Sequence, residues 1–268
     1  MKIVVVGTGN VASHLTPALC RAGFDAEMVP SRNIERLPAA QLYVVAVRDD
    51  ALDAVVAQMR PLASGPIVHT AGSKAASAAD GVLYPMQTFT KGRAVDFSTV
   101  HFFVEAESAS VLGLLEQVAA AVGTPAHVHR LDSEGRRRLH LAAVFACNFV
   151  NHCCALAEDV LRPLGLPFDV MLPLLDETVS KLHHLPPREA QTGPAIRHDH
   201  TVLAAHHHLL SQQPRLQAIY DQLSASISAP ASPGTPTAPH PANSAPHPST
   251  IAPGDSVAGS LHPLKPHD

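Results

Sequence analysis

Lys2-Ile3-Val4-Val5-Val6-Gly7-Thr8-Gly9-Asn10-Val11-Ala12 opens the chain with a β-branched run that passes straight into glycines and then into a helical pattern. Strand, glycine turn and helix start, in that order, satisfy GxGxxA in the structural setting that gives the motif weight. Gly7 permits the tight turn, Gly9 lets backbone approach a pyrophosphate, and Ala12 allows helix to pack closely on strand. The first N–H groups of the helix are free to hold an anion. The predicted phosphate cradle is therefore Gly7, Thr8, Gly9, Asn10, Val11 and Ala12. The competing reading is a glycine turn in an α/β protein that binds no nucleotide.

The end of the second strand should carry the residue that reads the adenosine ribose, an acid for NAD or a base for the 2′-phosphate of NADP. The segment there is Ser31-Arg32-Asn33. Arg32 can pair with a phosphate, and Ser31 and Asn33 can donate to it, so the segment favours NADP over NAD. A solvated surface arginine is the alternative for Arg32. Three further strand ends point to the same cleft, because ligands in open α/β sheets bind beyond the carboxyl ends of the strands. They are Val47-Arg48-Asp49-Asp50, His69-Thr70-Ala71-Gly72-Ser73 and Tyr84-Pro85-Met86-Gln87-Thr88. Val47 and the small residues Ala71, Gly72 and Ser73 are expected to line the cofactor, and Gln87 the substrate. His69 reads equally as a ligand contact or as a half-buried histidine satisfied by a backbone carbonyl.

Outward from this start, short β-branched runs alternate with helical patterns. Strands are predicted over 2–6, 26–29, 42–47, 67–70, 81–84, 101–105 and 126–129. Residues 42–47 are apolar throughout, as a strand buried on both faces should be. Helices are predicted over 11–22, with Gly23 as C-cap, over 50–59, with Asp49 and Asp50 at its positive end, and over 107–122. The fold class is α/β, a Rossmann-like domain with a mainly parallel sheet over 1–130. An all-α domain is expected over 131–228, with one long helix from Arg136 through Leu161 and further helices over 168–183, 201–210 and 214–227. Ten of the 24 prolines fall in 229–268, a segment too poor in large apolar residues to bury a core, so a disordered tail is expected there.

The 268 residues carry 19 Lys plus Arg against 23 Asp plus Glu, a formal charge of −4, which argues against a nucleic-acid or anionic-membrane partner. No uninterrupted apolar run approaches the roughly 20 residues a membrane span requires, and the opening strand turns to glycine too early for a signal-peptide core. Cys20, Cys147, Cys153 and Cys154 form no metal-knuckle or paired pattern and read as reduced thiols in a cytoplasmic protein. The runs His183-His184 and His206-His207-His208 lack ligand spacing, so no metal is predicted.

At about 100° per residue, His140, Val144, Cys147, Asn148 and Asn151 share one face of the long helix. His140, Asn148 and Asn151 are the candidate catalytic residues, the imidazole as proton donor or acceptor and the amides as ligand contacts. A satisfied core histidine and a buried polar network that only fixes helix packing are the alternatives. In the loop Gln191-Thr192-Gly193-Pro194-Ala195-Ile196-Arg197, Thr192 and Gly193 are candidate substrate contacts. Arg197 could fork onto a carboxylate or form a structural ion pair with Asp199.

With these residues in hand the chain resembles the bacterial Rossmann-like DUF2520 family, usually described as NADP-dependent oxidoreductases of unassigned substrate. The resemblance spans about residues 1–228. It rests on His69-Thr70-Ala71-Gly72-Ser73, on Tyr84-Pro85-Met86-Gln87-Thr88-Phe89, on the run Leu139 to His152, and on Ala190 to Arg197. More distantly it is similar to the 6-phosphogluconate dehydrogenase-like superfamily, in which a helical C-terminal domain closes over the nicotinamide and commonly forms a homodimer. The Tyr84-Pro85-Met86 turn is similar to the His-Pro-Met turn of prephenate dehydrogenases, without the leading His. Hydroxy-acid relatives place a Lys and an Asn one turn apart on the long helix, whereas this helix offers no Lys. The resemblance implies an NADP-dependent oxidoreductase acting on a small, carboxylated carbonyl or imine substrate. A non-catalytic dinucleotide-binding regulatory or interaction protein is the alternative that the missing Lys leaves open.

Overall fold

The computed structural model describes residues 1–32 and 34–230, in two compact units divided in sequence between Ala155 and Leu156. Asn33 and most of the expected tail, residues 231–268, lie outside the described residues.

The first unit is built on seven strands: β1 (Lys2–Val6), β2 (Asp25–Val29), β3 (Leu42–Val45), β4 (Ile67–His69), β5 (Gly81–Met86), β6 (His101–Glu105) and β7 (Val128–Arg130). They lie in the order β2-β1-β3-β4-β5-β6-β7. The first five run parallel, β6 runs antiparallel to β5, and β7 is parallel to β6. Parallel strands need crossovers, and α1 (Asn10–Arg21), α2 (Leu52–Met59) and α3 (Ala109–Val122) cover both faces. Strand periodicity divides the core accordingly. Ile3, Val5, Leu42 and Val44 pack with α1 and α3 on one side, while Val4, Val6, Tyr43 and Val45 pack with α2 on the other. Each fully buried aliphatic side chain here contributes about 1.5–3 kcal/mol. The continuous apolar reading of β3 is explained by this double burial: all four of its residues are buried.

The glycine that ends α1 closes a Schellman turn, with Phe24 N–H donating to the Leu19 carbonyl at 3.1 Å, Gly23 N–H to Cys20 at 3.0 Å, and Gly23 at φ +87°. The expected start of α2 at Asp50 is corrected: the helix begins at Leu52 with Asp53 in its first turn, while Asp49 and Asp50 precede it, Asp50 paired with Arg48 at 2.6 Å and Asp49 accepting from the Ser73 hydroxyl.

Residues Ser133–Leu164 are helical throughout but not uniformly α. α4 (Ser133–Ala143) passes through a π-helical stretch, Val144–Phe149, into α5 (Val150–Leu161). The wider π turn changes the phase on which the single-face assignment of His140, Cys147, Asn148 and Asn151 depended. This helix is also long and apolar enough to cross a bilayer, with mean hydropathy 1.5 over its most apolar window. The expectation concerned unbroken apolar runs, and His140, Asn148, Asn151 and His152 do break this one, but they do not lower the average enough to fail the test. The second unit, from Leu156, carries α6 (Leu172–Leu182), α7 (His200–Leu209) and α8 (Pro214–Ser228).

Candidate functional site

The glycine turn after β1 is held by Gly7 N–H donating to the Val29 carbonyl at 2.9 Å. Gly7 has φ +132°, and a Cβ there would lie 2.2 Å from the Ala46 carbonyl oxygen. The glycine is thus required by the approach of β3 as well as by its backbone angle. Gly9 differs: its φ is −77°, and a Cβ built on it would meet nothing within 4 Å. Gly9 is the N-cap of α1, with no side-chain cap and no acid in the first turn, so the positive end of the helix has no anion of its own. Thr8, Gly9 and Asn10 are exposed, Val11 is half-buried, and Ala12 is buried against the sheet. An exposed, uncapped helix start with open space before it fits a phosphate.

At the turn after β2, Ser31 is half-buried and Arg32 is exposed. At the ends of β3 and β4, Val47, Ala71 and Ser73 are half-buried and Gly72 is buried. His69 is fully buried, with Nε2 3.0 Å from the Ala75 carbonyl and Nδ1 3.2 Å from the Ala71 N–H. One nitrogen donates and the other accepts, as in a neutral imidazole. Burial pushes its pKa down, opposed by the Ala75 carbonyl and assisted by the Arg136 charge. His69 is therefore the backbone-satisfied histidine of the two readings.

Beside it the structure assembles a group that no sequence spacing announces. The Tyr84 hydroxyl lies 3.3 Å from His140 Nδ1, across 56 residues of chain. Their rings meet edge-on at 6.2 Å. Gly72 lies against both: a Cβ there would fall 2.8 Å from His140 Nδ1 and 3.0 Å from Tyr84 Cζ. Tyr84 is half-buried on the carboxyl half of β5, two residues beyond Val82, the partner of His69. Desolvation raises its phenol pKa above the ordinary value, and the Arg136 charge opposes that rise.

Arg136 places His140 there. Its guanidinium is wholly buried, paired with Glu105 and donating to the Lys74 carbonyl, with Ser133 Oγ at 3.3 Å. Ser133 Oγ in turn donates to Glu105 at 2.9 Å and accepts from Ala76 N–H at 2.9 Å. The Asp132 carboxylate caps α4 by accepting from Gly135 N–H at 2.7 Å. These bonds fix the first turn of α4 to the sheet, and His140, one turn beyond Arg136 on the same face, is carried against Tyr84.

Asn148 and Asn151 are exposed, as are Leu141, Phe145, Phe149 and Val150 around them. Neither amide is buried within the single chain. Gln87 is exposed at the end of β5, its side chain accepting from Thr88 N–H at 2.8 Å. In the second unit, Thr192 and Gly193 line a pocket of about 270 Å³ with Pro194, His206, Tyr220 and Leu223. Gly193 has φ +112°. Arg197 is exposed, and Asp199 caps α7 through Val202 N–H at 3.2 Å, so the proposed Arg197–Asp199 pair does not form. Among the described residues no group of three or more His, Cys, Asp or Glu could hold a metal.

Residues 100–227 match the domain of unknown function DUF2520. Bacteroides fragilis BF3122, whose name proposes an NADP oxidoreductase, is similar at 41% identity and TM-score 0.76, over 85% of this chain and 97% of that one. The chain belongs to the DUF2520 family. An imine reductase from Myxococcus stipitatus in complex with NADP+ shares the fold at 14% identity and TM-score 0.60, over 85% of this chain and 93% of its own. So does Plasmodium falciparum pyrroline carboxylate reductase with NADP bound, at 10% identity and TM-score 0.53, over 85% and 98%. No curated protein matches the chain. The α/β Rossmann-like architecture with a helical C-terminal part is thereby shown. The buried Arg136 and the Tyr84–His140 contact are what sequence reasoning missed. The Tyr84-Pro85-Met86 turn was the one available signal for the latter.

Proposed function

We propose that the protein is an NADP-dependent reductase acting on a small, carboxylated carbonyl or imine substrate. The observation that carries this reading is the uncapped, acid-free start of α1 behind Gly9, which suits a pyrophosphate, at the same edge of the sheet as Tyr84 and His140. The relationship to BF3122 and the NADP bound by the imine and pyrroline carboxylate reductases support the choice of cofactor. Gly7 to Ala12 would hold the pyrophosphate, and Ser31, Arg32 and Asn33 the 2′-phosphate. Val47, Ala71, Gly72 and Ser73 would line the nicotinamide side. The reduced nicotinamide supplies a hydride and its two electrons. The chain supplies orientation and a proton, with His140 a member of the acid–base pair it forms with Tyr84, and Asn148 and Asn151 amide contacts for the substrate. Gln87, Thr192, Gly193 and Arg197 are the proposed substrate contacts, Arg197 for the carboxylate.

The protein is proposed to be a cytoplasmic homodimer through its helical region. Leu141, Phe145, Phe149 and Val150 are exposed apolar side chains on the long helix, with the Phe145 and Phe149 rings edge-on at 5.0 Å, and apolar surface of this kind suits a subunit interface. The test of the reaction is NADPH oxidation by the full chain with a panel of small keto acids and cyclic imines. Oxidation by any member supports a reductase. Tight NADPH binding with no turnover across the panel would favour a regulatory protein.

A further inference from the structure

The His140 imidazole does not stand alone at the sheet edge: its Nδ1 faces the Tyr84 hydroxyl at 3.3 Å, and Gly72 leaves the two rings just enough room to meet. Of the pair, Tyr84 is the group carried on the sheet, on the carboxyl half of a strand beside β4. His140 comes from the helix that Arg136 fixes. If Nδ1 carries the proton, it donates to the phenol oxygen, and the phenolic hydrogen is left free to point elsewhere. We infer that Tyr84 is the proton donor of the reduction, with His140 the positioning residue that holds the phenol and stabilises its anion.

This inference rests on the NADP-reductase reading. As hydride arrives at the carbon of a C=O or C=N group, the phenolic O–H bond breaks and an O–H or N–H bond forms at the heteroatom, which accepts the proton with its former π pair. The tyrosinate left behind keeps the hydrogen bond from His140 Nδ1–H and regains its proton from water. Asp49, Arg136 and His140 are the charged or titratable groups that bear on the phenol, Arg136 favouring its anion and Asp49 opposing it.

The test reads Tyr84 directly and needs no substrate. The chain has three tyrosines, Tyr43, Tyr84 and Tyr220, so the ultraviolet titration of tyrosinate in the full chain minus that of Tyr84→Phe isolates one phenol. Should Tyr84→Phe fail to fold, Tyr43→Phe and Tyr220→Phe assign Tyr84 by elimination. The titration is run free, with saturating NADP+ and with saturating NADPH, binding being followed separately by calorimetry. The cationic ring of NADP+ should lower the Tyr84 pKa by about 1–3 units, while NADPH, with the same phosphates and a neutral ring, should not. His140→Ala should raise the Tyr84 pKa, and His140→Asn, which restores a donor, should return it part of the way.

If both nucleotides bind and Tyr84 titrates identically with each, Tyr84 is not at the reacting end and the proposal is overturned while the cofactor reading stands. If neither binds, the cofactor reading fails and the proposal with it. A Tyr84 pKa that is unchanged or lowered in His140→Ala overturns the role given to His140.

Discussion

Gly7→Ala and Gly9→Ala change two glycines of one motif, and the structure assigns them opposite consequences. At position 7 an alanine must hold φ +132°, which costs about 1–3 kcal/mol. Its methyl would also stand 2.2 Å from the Ala46 carbonyl oxygen and 2.9 Å from its carbon, backbone just past the end of β3 that is held by the Ala46 N–H donating to the Val6 carbonyl at 2.8 Å. Overpacking of that kind costs about 1–3 kcal/mol more. The expected loss is thus about 4 kcal/mol, a large share of the 5–15 kcal/mol that stabilises a domain, and a fall in Tm of about 8–16 °C. At position 9 the methyl meets nothing. Losing a glycine N-cap and stiffening the unfolded chain offset one another, so stability should stay within about 0.5 kcal/mol. The methyl would nonetheless fill the space through which a phosphate reaches the helix start, weakening NADPH binding by about tenfold or more. Calorimetric melting and nucleotide titration of both variants decide the matter. A Gly7→Ala protein as stable as the parent would refute the packing argument. A Gly9→Ala protein that binds NADPH normally would refute the cradle.

Arg136→Ala should cost about 1–3 kcal/mol in urea unfolding, because it removes a wholly buried guanidinium and takes a donor from the half-buried Glu105 carboxylate and from the Lys74 carbonyl; a loss below about 1 kcal/mol would show that the pair does not fix α4. Burial lowers the folded-state pKa of His69, and of His101, below the ordinary value of 6.5. Between that lowered value and 6.5 the unfolded chain binds more protons, so stability is full above pH 6.5 and falls as the pH drops below it. His69→Asn should flatten that slope in unfolding measured from pH 7 to pH 5, and an unaltered slope would contradict the assignment. Phe145→Glu should convert a dimer to a monomer in sedimentation, since it charges the apolar surface of the long helix; a parent chain that is already monomeric would refute the dimer.

The sheet was readable where its determinants are local. The strand, glycine turn and helix at the N-terminus, the buried run read over 42–47, of which the strand takes Leu42–Val45, and the Gly23 stop are each written within a dozen residues. Strand β5 runs two residues past its predicted end because Pro85 reads as a strand terminator. Beyond Val82, however, β5 pairs only with β6, and a missing N–H is tolerated in such a strand. The π turn at Val144–Phe149 leaves no distinct mark in a sequence that is apolar on all sides, so a stripe drawn at 100° per residue loses its phase there. Arg136 read as one of three consecutive arginines, and nothing in Arg136-Arg137-Arg138 says which is buried. The Tyr84–His140 contact depends on how a helix start is fixed to the sheet 56 residues away, which no spacing rule encodes. The site residues on exposed surfaces, Arg32, Asn148, Asn151 and Arg197, were legible as chemistry only.

The claim that the chain holds a 2′-phosphorylated dinucleotide at the start of α1 is tested most directly by calorimetric titration of the full protein and of Arg32→Ala with NADPH and with NADH. The account predicts that the parent binds NADPH more tightly than NADH, and that Arg32→Ala loses about tenfold or more in NADPH affinity while NADH affinity is unchanged. Binding of neither nucleotide, or an NADPH preference untouched by the loss of Arg32, would contradict it.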